Sequence, residues 1–271
     1  MKHLILVRGG GDIATGTIHR LHNAGYAVLV LEDEKPSAIR REVAFCEAVY
    51  DGVKTVERVT CRLAANLTEA RHILKEGDVA MLVDPQALTA NRVKHEALVD
   101  AILAKRNLGT TRAMAPITIG LGPGFCAGRD VDWVVETMRG HNLGRIIREG
   151  FAMKNTGVPG VIAGFGAERV IHAPADGRLE TRRTISMMVQ KGEAIAQVYG
   201  ADGTITDVPA SLDGILRGII RDGYMVRRGL KIADIDPRPV STHCFTISDK
   251  ARCIAGSVLE LVLGHERGIW Q

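Results

Sequence analysis

Closely paired cysteines are missing from this chain. The five it has, Cys46, Cys61, Cys126, Cys244 and Cys253, are odd in number and scattered, with no CxxC spacing. That excludes a disulfide framework and a structural zinc site of the usual kind. Aromatic residues make up only 4%, and the pairs Arg40-Arg41, Arg182-Arg183 and Arg227-Arg228 lie far apart. A net charge of +4 therefore points to a small anionic ligand rather than nucleic acid, which wants a concentrated basic face with interleaved aromatics. Long apolar runs are missing too. The first, Leu4 to Val7, is broken by Arg8 and three glycines, so neither a bilayer span nor a signal segment is expected. The expectation is a cytoplasmic protein without membrane contact.

What remains is an ordinary globular composition, 46% apolar and 24% charged over 271 residues, enough for one large or two modest domains. The most informative stretch is its start. An apolar strand, Leu4 to Arg8, empties into Gly9-Gly10-Gly11-Asp12-Ile13-Ala14-Thr15-Gly16, which opens a helix running to Asn23. Gly9 and Gly11 let backbone approach a ligand, Gly16 lets helix and strand pack closely, and the helix-start amides face an anion. The spacing is GxGxxxxG, looser than the dinucleotide fingerprint. A second strand, Ala27 to Leu31, ends on Glu32, 23 positions after Gly9, where an acid commonly grips a ribose hydroxyl. The plainer alternative is a tight turn beside a solvated carboxylate.

Further strands are expected at Thr55–Val59, Val79–Val83 and Ile117–Leu121, and further helices at Ala64–Lys75 and Arg92–Lys105. This alternation predicts an α/β fold with a Rossmann-like parallel sheet covered on both faces, its ligand beyond the carboxyl ends of the strands. One such end, Gly120-Leu121-Gly122-Pro123-Gly124-Phe125, is a turn that brings amides toward a ligand or serves as a rigid loop. Beyond it, Asp132, Glu136 and Arg139 stand at helical spacing before Gly140 and His141. Such a face binds a metal, holds an oxyanion or is simply solvated. Cys126 beside the loop is read as a thiolate at a helix start or as a buried, inert thiol.

From His172 to Asp236 the chain repeats itself. Asp176-Gly177 precedes Lys191-Gly192 as Asp213-Gly214 precedes Arg228-Gly229, each glycine pair 15 apart and the two copies offset by 37. Two copies of a strand-turn-strand unit are expected to close on one another as a small all-β module. This is similar to the barrel-sandwich of biotinyl and lipoyl carrier domains. Those carry a modifiable lysine in the hairpin between the repeats, whereas here Tyr199-Gly200-Ala201-Asp202-Gly203-Thr204 has none. A structural or docking element is expected instead of a swinging arm. Ser248 then caps a helix from Asp249 to Leu263, predicted to return to the first domain, with a free or dimerising helix as the alternative. The domains are placed at 1–168, 169–240 and 241–271.

Together, Arg8 to Gly16, Gly120 to Phe125, Glu136-Thr137-Met138-Arg139-Gly140-His141 and Lys154-Asn155-Thr156-Gly157-Val158-Pro159-Gly160 resemble the YqeB family of selenium-dependent molybdenum hydroxylase accessory proteins. The glycine turn and its sheet are also similar to the XdhC/CoxI proteins. The resemblance implies a maturation factor whose partner is a molybdenum hydroxylase apoenzyme. Its cofactor would be molybdopterin or the cytosine dinucleotide form, held by Gly9, Gly10, Gly11, Asp12, Thr15, Gly16, Glu32, Gly122, Gly124, Arg139, His141, Lys154 and Asn155. An NAD(P)-dependent oxidoreductase using the same turn and a non-catalytic docking protein are the alternatives. No proton-transfer pair stands beside the turn to favour the oxidoreductase.

Overall fold

A computed structural model describes residues 3–157 and 160–270. The first stretch contains β1 (Leu4–Arg8), α1 (Asp12–Asn23), β2 (Ala27–Glu32), α2 (Ala48–Asp51), β3 (Val53–Val56), β4 (Val59–Leu63), α3 (Leu67–Glu76) and β5 (Val79–Val83). It continues with β6 (Ala97–Asp100), β7 (Ile117–Leu121), β8 (Cys126–Ala127), β9 (Trp133–Val135), β10 (Ile146–Ile147) and β11 (Gly150–Phe151). After residue 160 come β12 (Val170–His172), β13 (Gly177–Thr181), β14 (Met188–Val189), β15 (Ala194–Tyr199), β16 (Ile205–Pro209), β17 (Gly214–Ile219), β18 (Met225–Val226) and β19 (Lys231–Asp236). Two helices close the chain, α4 (Thr242–Phe245) and α5 (Asp249–Glu266).

Two compact units form. The first takes Met1–Pro36, Ala44–Asn155 and Ile247–Gln271, and the second takes Ser37–Val43 and Thr156–Thr246. The inclusion of Ser37–Val43 in the second unit departs from the boundaries read from sequence. Its cause is local: Arg41 Nε donates to the Ile219 carbonyl at 2.9 Å, and Gly218 leaves room for the Ile39 backbone.

In the first unit nine strands form one sheet in the order β10-β9-β7-β6-β1-β2-β5-β4-β3. The pairings inside it are parallel, but β3 and β10 run antiparallel at the two edges. The expected Rossmann-like α/β sheet with a small barrel-sandwich domain is therefore corrected. The chain is mostly strand, set in several sheets, the largest is mixed, and helix is sparse. The expected helix Arg92–Lys105 shows why. Ala97-Leu98-Val99 lies wholly buried as β6 between β1 and β7, because an uninterrupted apolar run satisfies both faces of a central strand better than one face of a helix. Likewise, the single strand expected at Thr55–Val59 is the turn of a hairpin. Glu57 and Arg58 both take positive φ there, the tight-turn geometry whose twist suits paired strands.

Two of the longer helices, α3 and α5, carry side-chain caps at their starts. The Asn66 side chain accepts from the amides of Thr68 and Glu69 at the start of α3, and Ser248 accepts from Ala251 at the start of α5. Helix α5 packs against α1, where an added Cβ at Gly16 would lie 2.8 Å from Ala251 Cβ. Its start is tied to the β3–β4 turn, since Glu57 accepts from the Ile247 amide and from Arg252.

The second unit holds two four-stranded sheets, β12-β19-β17-β14 and β16-β15-β13-β18, joined by one apolar cluster that includes Leu179, Val198, Leu216 and Ile232. The repeat is legible atom by atom. Asp213 Oδ1 accepts from the Lys191 amide at 2.7 Å and Asp176 Oδ1 from the Arg228 amide at 2.6 Å, partners exchanged between copies 37 residues apart. Gly177 abuts the Tyr199 carbonyl as Gly214 abuts that of Asp236. Buried charges also gather here: Arg169, just before β12, and Arg217 on β17 both reach Asp234 on β19, where Asp236 is buried as well.

Candidate functional site

The glycine turn after β1 is built on a buried ion pair that the sequence did not single out. Arg8, 1% exposed, reaches Asp100 Oδ2 at 3.3 Å, and its guanidinium also donates to Thr110 Oγ1 and to the carbonyls of Pro85 and Leu108. Burial pushes the Asp100 carboxyl up, against the opposing pull of Thr110 and Arg8. The end of β1 is thus pinned to the end of β6 before the chain turns.

Each motif residue then has a definite place. Gly9 has φ of +91° and lies against the backbone of Ala101 and Ile102. Gly10 donates its N–H to Glu32 Oε2 at 2.6 Å, and its carbonyl accepts from the Cys46 amide at 2.9 Å and from Thr15 Oγ1 at 3.2 Å. Thr15 Oγ1 also accepts from the Phe45 amide. Gly16 faces α5, so its small size serves helix against helix rather than helix against strand. Gly11 differs from all of these: nothing lies within 4 Å of where its Cβ would stand, its backbone is extended, and no side chain caps the helix there. Beside it Asp12 is half-buried in the first turn of α1.

Glu32 does not present a free carboxylate to a ribose. Its two oxygens accept from the Gly10 and Asp33 amides at 2.6 and 2.7 Å, and burial pushes its carboxyl up. In this arrangement Glu32 is a clasp for the turn.

The second glycine-rich strand end is filled by its own chain. An added Cβ would lie 2.5 Å from Thr137 Oγ1 at Gly122 and 2.6 Å from the Arg106 backbone nitrogen at Gly124. The helix expected around Asp132, Glu136 and Arg139 is strand β9 followed by turns, because Trp133-Val134-Val135 is an apolar run that joins the large sheet. Its polar residues have structural partners. Asp132 accepts from the Thr118 amide and hydroxyl and from Arg112. Glu136, 2% exposed, accepts from the amides of Met138 and Met153, and Arg139 forms a two-pronged pair with Asp249 at 2.8 and 2.9 Å. His141, Lys154 and Asn155 are exposed. Val158 and Pro159 of the last motif lie outside the described residues. Cys126 sits in β8, not at a helix start. Among the described residues no group of three His, Cys, Asp or Glu is placed to hold a metal ion, and no helix is long and apolar enough to cross a membrane. Of the glycines in the first motif, Gly11 combines open space with a place at the start of a helix.

Comparison with known proteins agrees with the motif resemblance at one level. The chain is 47% identical over 260 residues to the uncharacterized protein YqeB of Escherichia coli (strain K12), which takes in 96% of this chain and 47% of that protein. The chain spans about half the length of that curated relative. No family model matches. Among solved structures, the ectoine utilization protein EutE (DoeB) of Ruegeria pomeroyi aligns over 86% of both chains at 13% identity and a TM-score of 0.28. An aspartoacylase family protein of Mesorhizobium loti aligns over 87% of this chain and 85% of its own at 12% identity and a TM-score of 0.30. Scores this low bear on neither fold nor activity. The molybdenum-cofactor and selenium readings find no support in any of these similarities, and the Rossmann-like reading is overturned by the mixed, strand-dominated architecture.

Proposed function

We propose that this chain is an accessory binding protein that holds a compact anion, such as the phosphate of a nucleotide-like ligand, on the open first turn of α1. The observation that carries the reading is the contrast among the long helices. Asn66 and Ser248 cap α3 and α5, whereas α1 starts at Gly11 with no side-chain cap and with space in front of it. Helix-start amides without an internal partner, at the positive end of the helix dipole, are the usual seat of a phosphate. Asp12 shares that turn and sets the selectivity, since a bound anion has to displace or tolerate its charge. The finer role, maturation of a molybdenum hydroxylase, has the motif resemblance alone behind it.

The oxidoreductase reading is disfavoured by Glu32, whose oxygens already serve the turn. Titration calorimetry with pyrophosphate, cytidine monophosphate, molybdopterin and NAD separates these readings. Binding of pyrophosphate that is weakened by Gly11→Ser and strengthened by Asp12→Asn is the expected result. A ligand bound only by the native state at a hundred times its Kd also raises stability by about 2.7 kcal/mol, which thermal unfolding checks. Absence of binding by every anion, or binding indifferent to both substitutions, overturns the proposal.

A further inference from the structure

A cavity of about 420 Å³ opens in the first unit beside β9, β10 and β11, within the size range of small-molecule sites. None of the residues at the glycine turn lines it. Its wall contains Glu136, Arg145, Ile147, Arg148, Glu149, Phe151 and Met153. We propose that it binds a small organic carboxylate with an apolar or aromatic body, independently of any ligand at α1.

Glu136 shapes the cavity without offering a free acceptor, because its two oxygens accept from the Met138 and Met153 amides at 2.6 and 2.7 Å. The cations are different. Three neighbouring arginines are paired, Arg112 with Asp132, Arg129 with Asp130 and Arg139 with Asp249. Arg145 and Arg148 have no ion pair among the described residues, and Arg148 is stacked over the Trp133 ring at 5.4 Å. A guanidinium held by its aromatic neighbour keeps its N–H fork available for a carboxylate. Beside these cations the wall turns apolar: Phe151 is 63% and Met153 51% exposed, surface that a ligand's body would cover. Arg129 lies over the Phe151 ring at 5.6 Å and holds it in place.

Charge selects the class of anion. The wall carries Arg145 and Arg148 against Glu136 and Glu149, so a single negative charge is accommodated where a phosphate dianion meets two carboxylates. The structure also supplies a reporter. The chain has two tryptophans, Trp133 and Trp270, packed edge to face with ring centres 5.2 Å apart. A carboxylate taking Arg148 changes the surroundings of that pair.

The test titrates the full chain with benzoate and hexanoate, with phenyl phosphate and benzyl alcohol as comparators, and follows tryptophan fluorescence and heat. Saturable benzoate binding with a Kd at or below about 1 mM, weaker phenyl phosphate and no benzyl alcohol binding are expected. Arg145→Gln, at an exposed position that leaves the fold intact, is expected to weaken benzoate about tenfold or more, and Glu149→Gln to tighten it. No saturable carboxylate binding, or binding unchanged in Arg145→Gln and Arg148→Gln, overturns the site. Neither variant touches the start of α1, so failure here leaves the anion proposal standing, and failure there leaves this one.

Discussion

Two glycine-rich strand ends in the same unit look alike in sequence and behave oppositely. At the end of β7, Gly122 and Gly124 are small because Thr137 and the Arg106 backbone already stand where their side chains would be. At the end of β1, Gly9 and Gly10 are small for the same reason, yet Gly11 faces nothing within 4 Å and begins an uncapped helix. A glycine run therefore marks close approach, but whether by the chain itself or by a ligand depends on which neighbour has arrived. The difference also explains why, of the four glycines in that eight-residue motif, Gly11 is the one with open space beside it.

That comparison can be broken or sharpened by substitution. The largest effect is expected at the foot of the first loop. Arg8→Ala strands Asp100 in the interior and is expected to cost about 3–5 kcal/mol, read by urea unfolding. Next comes the filled loop: Gly124→Ala combines a φ of +119° with a clash against backbone, for a loss of about 3 kcal/mol by the same measurement. A Gly124→Ala protein as stable as the parent would show the second loop to be open as well. Gly16→Ala gains helix propensity but meets Ala251 on α5, so a smaller net loss of about 1–2 kcal/mol is expected.

The Glu32 clasp gives a pH signature. Burial raises its carboxyl in the folded state above the unfolded value, so its contribution to stability is present at low pH and is lost as pH rises through the raised value. The advantage of the parent over Glu32→Gln should shrink on going from acidic toward neutral pH, as followed by unfolding across that range; an advantage that grows would contradict the burial argument. The smallest effect is expected at the open position. Gly11 already has the extended backbone of a helix cap, φ −64° and ψ 179°, so Gly11→Ser should stabilise α1 by a few tenths of a kcal/mol while obstructing an anion. A loss of stability as large as that of Gly124→Ala would erase the distinction between the two loops.

Much of the second unit was readable in advance. The 37-residue offset required equivalent backbone, and the exchanged contacts Asp176 to Arg228 and Asp213 to Lys191 follow from it. The Ser248 cap of α5 was read from its chemistry, while the helix expected from Ala64 begins at Leu67 under an Asn66 cap. Less of the first unit was legible. Arg92–Lys105 and the segment around Asp132 carry residues that suit a helix when taken alone, and both became strands because a neighbouring strand edge was there to pair with them. Arg139 and Glu136 read as ligand contacts because their partners, Asp249 and the Met153 amide, lie far along the chain.

By itself the sequence determined where the glycine-marked turns fall, which runs are apolar enough to be buried, and that one segment is built from two matching copies, since these depend on the conformational freedom of glycine, on periodicity and on repetition. Only the tertiary structure decided that Glu32 clasps the turn, that Gly16 serves α5, and that Gly11 and the wall around Arg145 and Arg148 remain open. Those outcomes depend on which distant atoms fill the space beside a residue, and that is settled by packing between segments far apart in the chain.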